Sequence, residues 1–100
     1  MLHTVNKSPF EKDSLDTCLR LARQGSDILL IEDAVYAALS GTRFEQRMRD
    51  ALERHTVYVL QADVEARGID PHTLIAGVRT VDYAGFVDLA VQNDHVQSWL

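Results

Sequence analysis

Cys18 is the only cysteine in the chain, and no other side chain here can hold sulfur covalently. A thiolate attacks the outer sulfur of a persulfide, a new S–S bond forms, and the donor leaves as a thiolate. Leu15, Cys18, Leu19 and Ala22 also stand at i, i+3, i+4 and i+7, the apolar stripe of an amphipathic helix. There a small thiol packs as a hydrophobe. It lies about one turn beyond the candidate caps Asp13 and Ser14, where a helix N-terminus no longer does much to lower a thiol pKa. Core filling outweighs the nucleophile on these residues alone, and both readings stay open.

Other chemistries find less support. Gly25, Gly41, Gly68, Gly77 and Gly85 are isolated from one another, so there is no phosphate-cradling loop or nucleophile elbow. His3, His55, His72 and His95 show no metal-ligand spacing with each other or with Cys18, and no cofactor or metal is expected. Glu32, Asp33, Asp63 and Asp82 fall at strand ends, where carboxylates could hold magnesium as in a phosphoacceptor domain. Helix capping by Asp63 and Asp82 is the stronger reading. Arg43, Arg47, Arg49 and Arg54 are offset by Glu45, Asp50 and Glu53, which fits a solvated helix flank better than a phosphate-binding face.

The elements that must position these residues come from length and pattern. One hundred residues with 46% hydrophobic and 25% charged composition make a single ordered domain over 1–100. A net charge of −5 argues against a nucleic-acid surface. Leu2-His3-Thr4-Val5 lacks the features of a secretory signal, and the apolar run Ile28–Ile31 is far too short to span a bilayer, so a cytoplasmic chain without membrane contact is expected. Strands are read at Leu2–Val5, at Asp27–Ile31 as a continuous buried run, at Thr56–Leu60 and at Val78–Val81. Helical patterns separate them: 13–25, a short apolar segment Ala34–Leu39, a stripe of Phe44, Met48, Ala51 and Leu52, a turn Asp63–Arg67, and a helix after Asp82. In that last helix Tyr83, Phe86, Val87, Ala90 and Val91 read as the inward face. Glu45/Arg49 and Asp50/Arg54 read as i, i+4 pairs.

This alternation predicts an α/β domain with a four- or five-stranded, mainly parallel sheet and helices on both faces, in flavodoxin- or Rossmann-type layering. The Val96–Leu100 tail could add the fifth strand. Two apolar features exceed what a core obviously requires, the 35–39 segment and Trp99. Val35, Tyr36, Leu39 and Trp99 are accordingly candidate partner-contact residues, with core packing the alternative.

Three blocks carry a family resemblance: Met1-Leu2-His3-Thr4-Val5-Asn6-Lys7-Ser8-Pro9-Phe10, Leu29-Leu30-Ile31-Glu32-Asp33-Ala34-Val35-Tyr36-Ala37-Ala38, and Val81-Asp82-Tyr83-Ala84-Gly85-Phe86-Val87. In their order and spacing they resemble the DsrH/TusB family, over essentially the whole chain. The resemblance implies the smallest of three related subunits in a cytoplasmic α2β2γ2 heterohexamer, beside DsrE/DsrF-like (TusD/TusC-like) sisters. It further implies a relay of persulfide sulfur to a DsrC/TusE-like acceptor, serving tRNA wobble-uridine 2-thiolation or intracellular sulfur oxidation. In such complexes the principal active cysteine lies on the DsrE or TusD sister. Cys18 resembles the single cysteine of DsrH-type chains, which favours that branch and leaves Cys18 a possible persulfide carrier. The alternatives are a non-catalytic scaffold subunit and, more weakly, the magnesium-binding phosphoacceptor domain.

Overall fold

The β-branched and leucine runs form strands where the pattern places them, and each is followed by its helix. In the computed structural model, which describes residues 1–100, the strands are β1 (Leu2–Val5), β2 (Asp27–Leu30), β3 (Thr56–Leu60), β4 (Arg79–Val81) and β5 (Val96–Trp99). The helices are α1 (Ser14–Leu21), α2 (Glu45–Leu52), α3 (Gln61–Ala66) and α4 (Tyr83–Gln92). The apolar segment after β2 is a 3₁₀ helix, Glu32–Ala38. No helix is long and apolar enough to cross a membrane.

All four strand pairings are parallel, in the order β4-β3-β2-β1-β5. The tail does form the fifth strand. From β1 to β4 the chain steps one place at a time in a single direction, so right-handed crossovers put every intervening helix on the same face. The connection from β4 to β5 runs back across the whole sheet, which sends α4 to the opposite face. Register agrees: His3, Ile28 and Val57 align across the sheet, as do Val5, Leu30 and Val59. These side chains meet α1, the 3₁₀ helix, α2 and α3 in a core of 16 buried residues that includes Leu15, Cys18, Val35 and Met48.

The other face is thinly covered. Leu2, Leu29 and Leu89 form its buried apolar cluster, with Tyr58, Phe86 and Ala90 against them. The expected inward face of α4 therefore needs correction: Phe86 and Ala90 do pack on the sheet, but Tyr83, Val87 and Val91 are 63%, 61% and 79% exposed, and Leu89 is the buried residue. Only Asp88 and Gln92 in this helix carry a charge or an amide, so periodicity could not select a side.

Local polar bonds show further differences. Asp82 caps α4, accepting from the Gly85 N–H at 2.8 Å. Asp63 lies inside α3 and does not cap it; it accepts instead from the N–H of Glu32, the first residue of the 3₁₀ helix, at 2.8 Å. That bond holds Glu32 in the left-handed region at φ 50°, an uncommon conformation for a residue with a side chain. Glu45 pairs with Arg49 at 2.9 Å. Asp50 accepts from Gln46 at 3.0 Å, and no Asp50–Arg54 pair forms.

β5 is fastened at its far end by Trp99, whose indole Nε1 donates to His3 Nδ1 at 3.1 Å. His3 must stay neutral at Nδ1 to accept that bond, and burial followed by the nearby N-terminal amine lowers its pKa. A depressed pKa means the unfolded chain takes up the proton first. Stability from this site is present above the ordinary histidine value of 6.5 and is lost as pH falls through the folded value. Fluorescence of Trp99, the only tryptophan, should accordingly show an acid transition below that value, absent in His3→Gln; a flat profile in the native sequence contradicts the linkage.

Candidate functional site

The sulfur-bearing candidate comes first. Cys18 is held by α1 against Leu15 and the sheet, and it is fully buried. Its backbone carbonyl accepts from the Ala22 N–H at 2.8 Å, closing the helix. Burial pushes its thiol up to about 12, because the charged thiolate loses solvation in an apolar setting. Burial is the whole cause, and no cation relieves that cost. Chemically, Cys18 in this packing is a small core hydrophobe.

The four partner-contact candidates are not brought together. Val35 is fully buried in the main core and has no free surface. Tyr36 and Leu39 are half-buried, Leu39 forming an isolated bridge with Leu74. Trp99 packs against the core and bonds His3. The apolar 3₁₀ segment is absorbed because it plugs the space between β2, α2 and α3.

Of the carboxyl ends of the strands, where open α/β sheets usually place ligands, those of β2 and β3 are tied by one arginine. Arg67 bridges Asp33 at 2.9 Å and Asp63 at 3.5 Å. Asn6, directly after β1, buries its Oδ1 without a partner.

A surface the sequence reading missed is the outer side of α4. Tyr83, Val87 and Val91 recur at i, i+4 and i+8, and so line one exposed stripe. Val96, on the same face of the sheet through its pairing with Leu2, is 49% exposed. The available signal was a helix apolar on nearly all sides, which calls for cover on more than one. Covering these four side chains would contribute about 1–2 kcal/mol each before the costs of association. The arrangement suits docking of another protein.

Comparison with known proteins finds likeness over essentially the full length. The family model described as DsrH like protein matches residues 7–96. The Protein TusB of Erwinia tasmaniensis is 39% identical over 104 residues, covering 99% of this chain and 100% of the relative. That of Salmonella dublin is 40% identical over 101 residues, with the same coverage. Among solved structures, the ychN protein from E. coli superimposes with a TM-score of 0.83 at 25% identity, covering 98% of this chain and 97% of its own. MTH1491 from Methanobacterium thermoautotrophicum shares the fold with a TM-score of 0.76 at 12% identity, over 97% of this chain and 95% of its own.

Burial of Cys18 makes a direct prediction. A thiol reagent at about pH 8 leaves Cys18 unmodified in the folded protein and labels it fully in urea; rapid native labelling contradicts the burial. The raised thiol pKa also has a sign. The folded state keeps its proton while the unfolded chain releases it above about 9, so this contribution to stability is intact below 9 and is lost as pH climbs toward 12. Denaturation midpoints should fall more steeply with alkaline pH in the native sequence than in Cys18→Ala.

Proposed function

The chain belongs to the DsrH-like family, and from that premise we propose that it is a subunit of a cytoplasmic sulfur-relay complex, contributing interface while a sister subunit carries the main active cysteine. The partners are DsrE/DsrF-like (TusD/TusC-like) chains, two copies of each subunit, with a DsrC/TusE-like protein as downstream acceptor. The relay moves persulfide sulfur for tRNA wobble-uridine 2-thiolation or for sulfur oxidation, and the reading commits to the step those pathways share.

The observation that carries it is the unpartnered apolar stripe of Tyr83, Val87 and Val91 beside Val96. A sheet face whose apolar cluster has just three buried members, Leu2, Leu29 and Leu89, is one that a second subunit completes. Burial of Cys18 supports a structural role for this thiol, since sulfur transfer requires a thiolate within reach of the donor. The locked carboxylates Asp33 and Asp63 leave the magnesium-binding alternative without favour.

Co-expression with the sister subunits tests the interface. Val87→Asp/Val91→Asp should abolish co-purification and the hexamer peak in size-exclusion chromatography, with the melting temperature of the isolated chain unchanged because both residues are solvated there. A variant that still assembles at native yield rejects this face. Charging the complex with a persulfide donor should then add the mass of one sulfur atom to a sister subunit and none to this chain. Sulfur found on Cys18 overturns the structural assignment.

A further inference from the structure

Charge is unevenly placed along the chain. Every Lys and Arg lies before residue 80, whereas the segment holding α4 and β5 carries Asp82, Asp88 and Asp94. All three are exposed, and none forms an ion pair. Asp82 is occupied as the cap of α4, accepting from the Gly85 N–H. Two cations stand at the margins of this face. Arg79 shares it through its pairing with Tyr58, on the edge strand farthest from Val96, and Arg23 shares a cleft with Asp94. Neither pairs with Asp88.

Helix geometry sets that carboxylate beside the middle of the apolar stripe. Tyr83, Val87 and Val91 form one ridge along the outside of α4, and Ala84, Asp88 and Gln92, also exposed, form the next. Ridges of this i, i+4 kind are what one helix packs into the grooves of another. Asp88 is the only charge on the two ridges. A second copy docked α4 on α4, about a twofold axis near Val87, brings Asp88 up to its own image, because residues beside such an axis face themselves. Like charges repel more strongly as water is squeezed from between them. Carbonyls at the C-terminal end of α4 add partial negative charge on the same side. Self-association on this face therefore works against its charge, and a cation opposite Asp88 relieves it.

We infer that the α4 face selects a different polypeptide over a second copy of this chain, and that the partner presents an apolar strip with a Lys or Arg set opposite Asp88. The inference deepens the proposed subunit role and rests on it for where that partner is found. Contact with Tyr83, Val87 and Val91 holds the complex, and the carboxylate decides which surface can enter.

Co-expression with the sister subunits tests it. Asp88→Lys should cut their co-purification at least about tenfold, and Asp88→Glu should retain it. Asp88 is exposed and a lysine suits the second half of a helix, so the isolated Asp88→Lys chain should melt at the native temperature. The native chain alone should sediment as a monomer. Native yield from Asp88→Lys overturns the inference, as does a dimer of the isolated chain that Val87→Asp disperses. The variant Val87→Asp/Val91→Asp separates the two failures. Should it lose assembly while Asp88→Lys assembles fully, the face stands and the charge selection is wrong; should it assemble at native yield, the face itself is rejected and both readings fall.

Discussion

A parallel sheet admits only right-handed crossovers, and the rest of this molecule follows from how the chain spends its four of them. Three advance in one direction from β1 to β4 and stack α1, the 3₁₀ helix, α2 and α3 on one face. The fourth reverses and leaves α4 alone on the other. One face is thereby a complete core, and the second is a half-covered sheet with a single helix that is apolar on both sides. The asymmetry concentrates contact surface at α4 and removes it from Cys18, which lies under the crowded face.

Much of the fold was legible because it rests on local signals. The unbroken apolar run from Ile28 marked a strand buried on both faces, though β2 stops at Leu30 and Ile31 is only half-buried, and the Leu15, Cys18, Leu19, Ala22 spacing marked a helix with cysteine inward. Asp82 was readable as a cap. What failed depends on neighbours that no local pattern names. Tyr83, Val87 and Val91 share their helix with Phe86, Leu89 and Ala90, and only the reversed crossover decides which set meets the sheet. Val35 looked available because a connection above a sheet is usually solvated; here the 3₁₀ helix is itself a core layer. Asp63 was assigned to a helix terminus, but α3 begins directly at the end of β3, two residues earlier, freeing the carboxylate to hold Glu32.

The histidines show a similar limit. Spacing along the chain gave them no shared role, yet His3 and His55 are among the few buried polar residues, on the sheet face beneath α1 and α2. One is completed within the fold by Trp99, and the other is not completed by any protein group. The difference is positional: β5 delivers an indole to His3, while no element brings a partner to His55, just ahead of β3.

β5 pairs with β1 across 94 residues, Leu2 with Val96 and Val5 with Trp99, whereas β1 reaches β2 across 25. The entropy of closing the longer loop exceeds that of the shorter by only about 1 kcal/mol, so the pairing is affordable at equilibrium. In time it is a different matter, because non-local contacts are the slow ones to form. The four strands β1 to β4 can zip sequentially through short crossovers, leaving one flank of β1 as an open template until α4 swings across. During that interval any extended segment of suitable apolar pattern, including β5 of another copy, competes for the same edge. The seam that completes the sheet is therefore also where strand exchange between chains would begin.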